Sequence, residues 1–176
     1  MMNSKLKTNI ITQSALCTAF ICILAQIIIP IGSVPISLAT LGLYIVSASF
    51  SMRVAILSSS IYVLMGAIGI PVFAGFSGGI ATILGPTGGF IVGYVLLCLI
   101  ASIPVKSKKY AFLFHLLLMV IGTFILYLLG TFWFIHYCKV DFISAVKVCV
   151  IPFVIIDLVK MVLACLIAKK LSSLSM

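Results

Sequence analysis

Two charged side chains stand where an apolar segment has little reason to keep them. Asp157 and Lys160 fall inside the run PFVIIDLVKMVLA, residues 152–164, and a charge at the centre of a membrane helix costs about 2.5–3.5 kcal/mol on insertion scales. Positions three apart share a helix face, so the two side chains can partner one another. At a rise of 1.5 Å per residue from Pro152, Asp157 lies about 7 Å and Lys160 about 12 Å along the helix. That depth suits a pocket entered from one membrane face; the alternative is an ion pair that only pins this helix to its neighbours. No second carboxylate, paired His or nucleophile motif accompanies Asp157, so no catalytic constellation assembles and the chain reads as a non-enzyme.

Glycine is the second unusual signal. Nine of the thirteen glycines lie between Gly66 and Gly93, most of them in GIPVFAGFSGGIATILGPTGGF, residues 69–90. The stretch has neither G-x-G-x-x-G nor G-K-[ST], so it is no nucleotide phosphate loop. Close packing of small residues explains Gly93, but a long run with two prolines between spans must fold against protein, because lipid cannot satisfy open backbone groups. Pro86 as the first residue of a helix would leave the N–H groups of Thr87, Gly88 and Gly89 pointing outward, suited to an anionic or carbonyl group. A second Pro/Gly-interrupted connection, PIGSVPISLATLG at residues 30–42, falls on the same side. Interrupted and short membrane segments are pointers to a transport site. The expectation is a pocket opening outward, lidded by the loops 30–37 and 72–83.

The elements that must position these residues follow from composition. Of 176 residues 64% are hydrophobic and 7% charged, with eleven Lys or Arg against two Asp, and mean hydropathy is +1.44. A soluble domain is about 25% charged; this chain is an all-α integral membrane protein. The basic residues are scattered and form no continuous face, which excludes nucleic acid as partner. With roughly 20 residues per span, six spans are expected in a single membrane domain covering residues 1–176: about 9–29, 38–52, 54–68, 86–103, 110–135 and 152–170. The N-terminal run lacks a small-residue cleavage site and is read as the first span rather than a signal peptide. Lys5, Lys7, Arg53, Lys106, Lys108, Lys109, Lys169 and Lys170 fall on one side and only Lys139 and Lys147 on the other. This asymmetry puts both termini in the cytoplasm. Aromatic residues 132–137 form a belt at the outer end of the fifth span, and residues 139–151 read as a short amphipathic helix on the outer surface. The six Cys show no metal-ligand spacing; Cys138 and Cys149 are the pair left open for a disulfide.

At this point VPISLATLG (34–42), GIPVFAGFSGGIATILGPTGGF and PFVIIDLVKMVLA resemble the BioY family, the biotin-binding S components of energy-coupling factor (ECF) transporters. The resemblance runs in order over nearly the whole chain. It implies an S-component-type six-helix bundle that captures biotin from outside and docks on a transmembrane T protein driven by two cytoplasmic ATPases; those partners use the ATP, and no cofactor is implied. The Asp and Lys of the sixth helix, which contact biotin in that family, carry over to Asp157 and Lys160. A carboxylate would accept the ureido N–H groups through charge-assisted bonds. Phe73 and Tyr62 are candidates for the apolar walls, Gly75 is counted with Phe73 in the same motif, and the backbone near Thr87 and Gly88 would meet the valerate carboxylate. Ala15 and Ala19 form a small-residue pair on the first helix, suited to close approach of the T protein. The chain departs from the family pattern at Ala39, Phe76 and Phe90, where Gln, Gly and Tyr are frequent, which bears on fine specificity. An S-type carrier for another small vitamin or precursor is the alternative reading.

Overall fold

The computed structural model describes residues 2–29, 36–105 and 111–174, with side chains over 7–29, 36–105 and 111–171. In chain order the elements are α1 (Met2–Ala25), β1 (Ile28–Ile29), β2 (Ile36–Ser37), α2 (Ala39–Ser49), α3 (Met52–Ala67), α4 (Ile80–Leu84), α5 (Gly88–Ala101), α6 (Ala111–Cys138), α7 (Phe142–Cys149) and α8 (Ile151–Leu174). Helix neighbours close a ring in the order α1, α3, α5, α6, α8, α2 and back to α1, with α2 also touching α5 across the middle. Large apolar side chains such as Leu16, Ile23, Leu113, Phe124 and Ile155 point outward and are exposed, the pattern of a bundle whose solvent is lipid.

The segments 7–25 and 111–138 and the α7–α8 run 142–171 are long and apolar enough to cross a membrane. The helices α2, α3 and α5 have 11, 16 and 14 residues, so each is shorter than a hydrocarbon core of about 30 Å. Their connections carry irregular backbone whose polar groups bond within the protein, as where the Phe73 N–H donates to the Ser77 carbonyl and the Gly79 N–H to the Gly66 carbonyl. The end of α1, the start of α2, the end of α3 and the start of α5 all connect on the side where α8 begins. The short helices therefore stop below that face and leave room under the connecting segments.

The expected spans are all present, with corrected ends. The first stops at Ala25 rather than residue 29, because Ile28 and Ile29 instead pair antiparallel with Ser37 and Ile36. Residues 30–35, most of the expected lid 30–37, lie outside the described residues, as do Lys106, Lys108, Lys109 and Tyr110. The fourth begins at Gly88 rather than Pro86: the Gly88 N–H donates to the Gly85 carbonyl (3.1 Å), so Pro86 belongs to the turn that leads in. The fifth continues past residue 135 to Cys138, and the sixth runs from Ile151 to Leu174, past the lysine pair. The glycine-rich stretch contains the one-turn helix α4, too short to show a period.

The expected amphipathic segment forms α7, capped by Asp141, whose Oδ2 accepts the Ser144 backbone N–H at 3.0 Å. Hydrogen bonds from Ser144 hold the Asp141 carboxyl below the usual carboxylate range. Cys138 and Cys149 are both free thiols, so the open disulfide is not formed.

Candidate functional site

The site begins with α8, whose face carries Asp157 and Lys160, 3% and 4% exposed. The Lys160 ammonium donates to Asp157 Oδ1 at 3.0 Å, to Thr40 Oγ1 at 2.9 Å and to the Ser37 carbonyl at 2.8 Å. All three of its N–H groups are thereby used. Thr40, on the first turn of α2, donates its hydroxyl to Asp157 Oδ1 (3.1 Å). Tyr127, from the middle of α6, donates its hydroxyl to Asp157 Oδ2 at 2.7 Å. The carboxylate thus accepts two bonds on Oδ1 and one on Oδ2, which leaves acceptor capacity on Oδ2. A buried ion pair is tolerable only when its remaining donors and acceptors are satisfied in this way. Four elements, β2, α2, α6 and α8, meet in this network.

Above it lies a cavity of about 270 Å³, bordered by Asp157, Lys160, Thr40 and Tyr127 at one end. Tyr62, Phe73, Phe90, Tyr94 and Phe153 bring aromatic rings to the remaining wall, and Ser77, Thr82 and Thr87 add hydroxyls. Tyr62 and Phe73 meet edge to face with centroids 5.5 Å apart, and Tyr62 and Tyr94 are 6.3 Å apart. Gly66 makes the Phe73 position feasible: a Cβ there would overlap the Phe73 ring.

Of the residues singled out in the sequence, Asp157, Lys160, Tyr62, Phe73 and Thr87 border the cavity. Gly75 and Gly88 do not. Gly75 occupies an exposed turn with φ 71°, where the left-handed backbone favours glycine. Gly88 is a packing glycine: its N–H is taken by Gly85, and a Cβ would collide with the Ile83 carbonyl. The expected outward-pointing N–H at Gly88 is thus corrected. Trp133 secures the same corner by donating its indole N–H to the Gly85 carbonyl at 2.8 Å. Among the three departures, Phe90 borders the cavity, Ala39 is buried elsewhere, and Phe76 points away, 72% exposed. Ala15 and Ala19 are exposed on the outer face of α1.

Sequence reasoning passed over Thr40, Tyr127, Tyr94 and the Ser37 carbonyl. Tyr94 and Tyr127 left a signal, as tyrosines in the middle of spans rather than at an interface, where the amphipathic ring is usual. Among the described residues no group of three or more His, Cys, Asp or Glu is placed to hold a metal. Chemically the arrangement presents a fixed carboxylate acceptor at the floor of an aromatic cavity, a device for holding a small, partly apolar molecule.

A multi-pass helical bundle with such a cavity beneath its connecting segments fits the class of membrane proteins that bind a small solute. The particular family is shown by comparison: residues 2–175 match the model of the BioY family, and the chain belongs to it. It is 34% identical to "Biotin transporter BioY2" of Lactococcus lactis over 93% of this chain and 88% of that protein. It is 37% identical to "Biotin transporter BioY" of Thermotoga maritima, over 92% of this chain and 95% of the relative. A crystal structure at 2.1 Å of the S-component for biotin from an ECF-type ABC transporter superposes with a TM-score of 0.87 at 25% identity, covering 96% of this chain and 93% of that one.

Proposed function

We propose that this chain is the substrate-binding S component of a biotin transporter, taking biotin from the outer side of the cell membrane into the cavity beneath the outer connections. The observation that carries this is the buried Asp157 carboxylate, held by Lys160, Thr40 and Tyr127, with acceptor capacity left on Oδ2. A ureido N–H would donate to Oδ2 through a charge-assisted bond. Lys160 would act mainly by holding the carboxylate in place, since its own donors already have partners. The fused ring would rest against Tyr62, Phe73 and Tyr94, and the valerate would extend toward Thr87 and Ser77. At about 270 Å³ the cavity falls just below the roughly 300–1,000 Å³ of drug-sized sites, which suits a small vitamin.

Transport against a gradient requires energy, and this chain carries no phosphate-loop motif, so ATP hydrolysis falls to two cytoplasmic ATPases acting through a T protein. Ala15 and Ala19, exposed on α1, offer a face of small side chains for that docking. The basic asymmetry supports cytoplasmic termini, with Arg53 exposed in the first turn of α3 on that side. Equilibrium binding of labelled biotin to the purified protein tests the function. Saturable binding below micromolar concentration is expected, and its absence at micromolar biotin would overturn the proposal.

A further inference from the structure

Gln26 lies outside the cavity, in the turn after α1, yet its side chain holds the cavity wall. The amide Nε2 donates to the Val72 carbonyl at 3.0 Å and the Phe73 carbonyl at 3.3 Å, and Oε1 accepts the Phe76 backbone N–H at 2.9 Å. One amide thus satisfies three backbone groups of a segment 46 to 50 residues away. That segment folds back on itself: the Phe73 N–H donates to the Ser77 carbonyl at 3.0 Å, and the Ser77 hydroxyl to the Ala74 carbonyl at 2.9 Å. Phe73, Ala74 and Ser77 border the cavity.

The tip of the segment is poorly anchored by other means. Phe76 is 72% exposed and holds φ at 55°, a left-handed conformation unfavourable for a residue with a Cβ. Gly75 beside it has φ 71° and a neighbourhood open except for Ile28. Apart from the buried Val72 and Phe73 side chains at its start and the Gly79 N–H beyond its end, which donates to the Gly66 carbonyl at 2.6 Å, the clamp from Gln26 is what joins the strained turn to the bundle. Any solute that passes this wall has to separate the turn from the end of α1, and with it the three bonds to Gln26.

We propose that Gln26 is a positioning residue for the solute site: it latches the 72–77 wall to α1 and sets how fast bound solute escapes. The inference rests on the biotin reading above. Gln26→Met keeps the length of the side chain and removes all three bonds. Gln26→Glu keeps an acceptor for the Phe76 N–H but turns a carboxylate toward two carbonyls, and it serves as the second variant if the first fails to fold.

Two measurements read the latch. In the ligand-free protein, amide hydrogen exchange should rise at least about 10-fold in peptides covering 72–77 and stay unchanged in α6. In a chase with unlabelled biotin, dissociation of labelled biotin should accelerate at least about 10-fold, equivalent to about 1.4 kcal/mol, while the association rate changes by less than about 3-fold. A residue serving general stability would raise exchange throughout the bundle and leave the dissociation rate unchanged. Either that pattern, or unchanged exchange at 72–77, would overturn the inference. Normal biotin binding by the unsubstituted chain with unaltered dissociation in both variants overturns the latch alone; no biotin binding by the unsubstituted chain overturns the biotin reading and the latch with it.

Discussion

Replacing Asp157 by Asn changes one atom of the side chain and the whole logic of the site. The carboxylate accepts from Thr40 and Lys160 on Oδ1 and from Tyr127 on Oδ2. If the asparagine oxygen stays with Lys160, its amide N–H₂ faces the Tyr127 hydroxyl and the ligand position, where an acceptor is needed. If it flips, the N–H₂ faces the ammonium. Either way Lys160, 4% exposed, loses its counter-charge. Breaking one side of a buried pair costs about 3–5 kcal/mol of stability, and loss of a hydrogen bond from ligand to a charged group costs about 1.5–3 kcal/mol of affinity, or about 10- to 150-fold in Kd. The assay is equilibrium binding of labelled biotin to detergent-purified protein, with thermal unfolding measured alongside. The double variant Asp157→Asn with Lys160→Met separates the two effects: no uncompensated charge remains, so stability should recover while binding stays lost. A folded Asp157→Asn protein with unchanged biotin affinity would refute the reasoning.

Three further outcomes follow from the same geometry. Tyr127→Phe removes the single donor to Oδ2 and should lower unfolding stability by about 1.5–3 kcal/mol, measured by thermal melting; no shift would mean that the bond is not formed. Gly66→Ala forces the Phe73 ring off its seat, so stability should fall by about 1–3 kcal/mol and biotin affinity with it, whereas a neutral result would contradict the packing of Phe73. Ala15→Trp with Ala19→Trp alters only the exposed face of α1 and should abolish co-purification with the T protein and ATPases while leaving biotin binding intact; retained co-purification would point to another docking face.

The membrane spans were legible because an apolar run of span length has few other uses, and Asp157 and Lys160 because charge inside such a run is costly. Their partners were not legible. Thr40 is an ordinary residue in a membrane helix and Tyr127 stands out only by its mid-span position; they reach Asp157 across 117 and 30 residues of sequence, a distance local patterns do not encode. The Ser37 contact uses a backbone carbonyl, which has no residue-type signature. Gly75 and Gly88 show the opposite error: glycine in a motif signals a backbone requirement, and here the requirements are a left-handed turn and close packing against Ile83 rather than contact with the cavity. The β1–β2 pairing is two residues per strand, too short for alternation to appear, and it ended the first helix four residues before hydropathy alone would.

The central claim is that the cavity floored by Asp157 receives biotin. A crystal structure of the protein with biotin tests it most directly. The account predicts the ureido ring within hydrogen-bonding distance of Asp157 Oδ2, the fused rings against Tyr62, Phe73 and Tyr94, and the carboxylate toward Thr87. Biotin bound elsewhere on the bundle, or with its ureido group remote from Asp157, would contradict it.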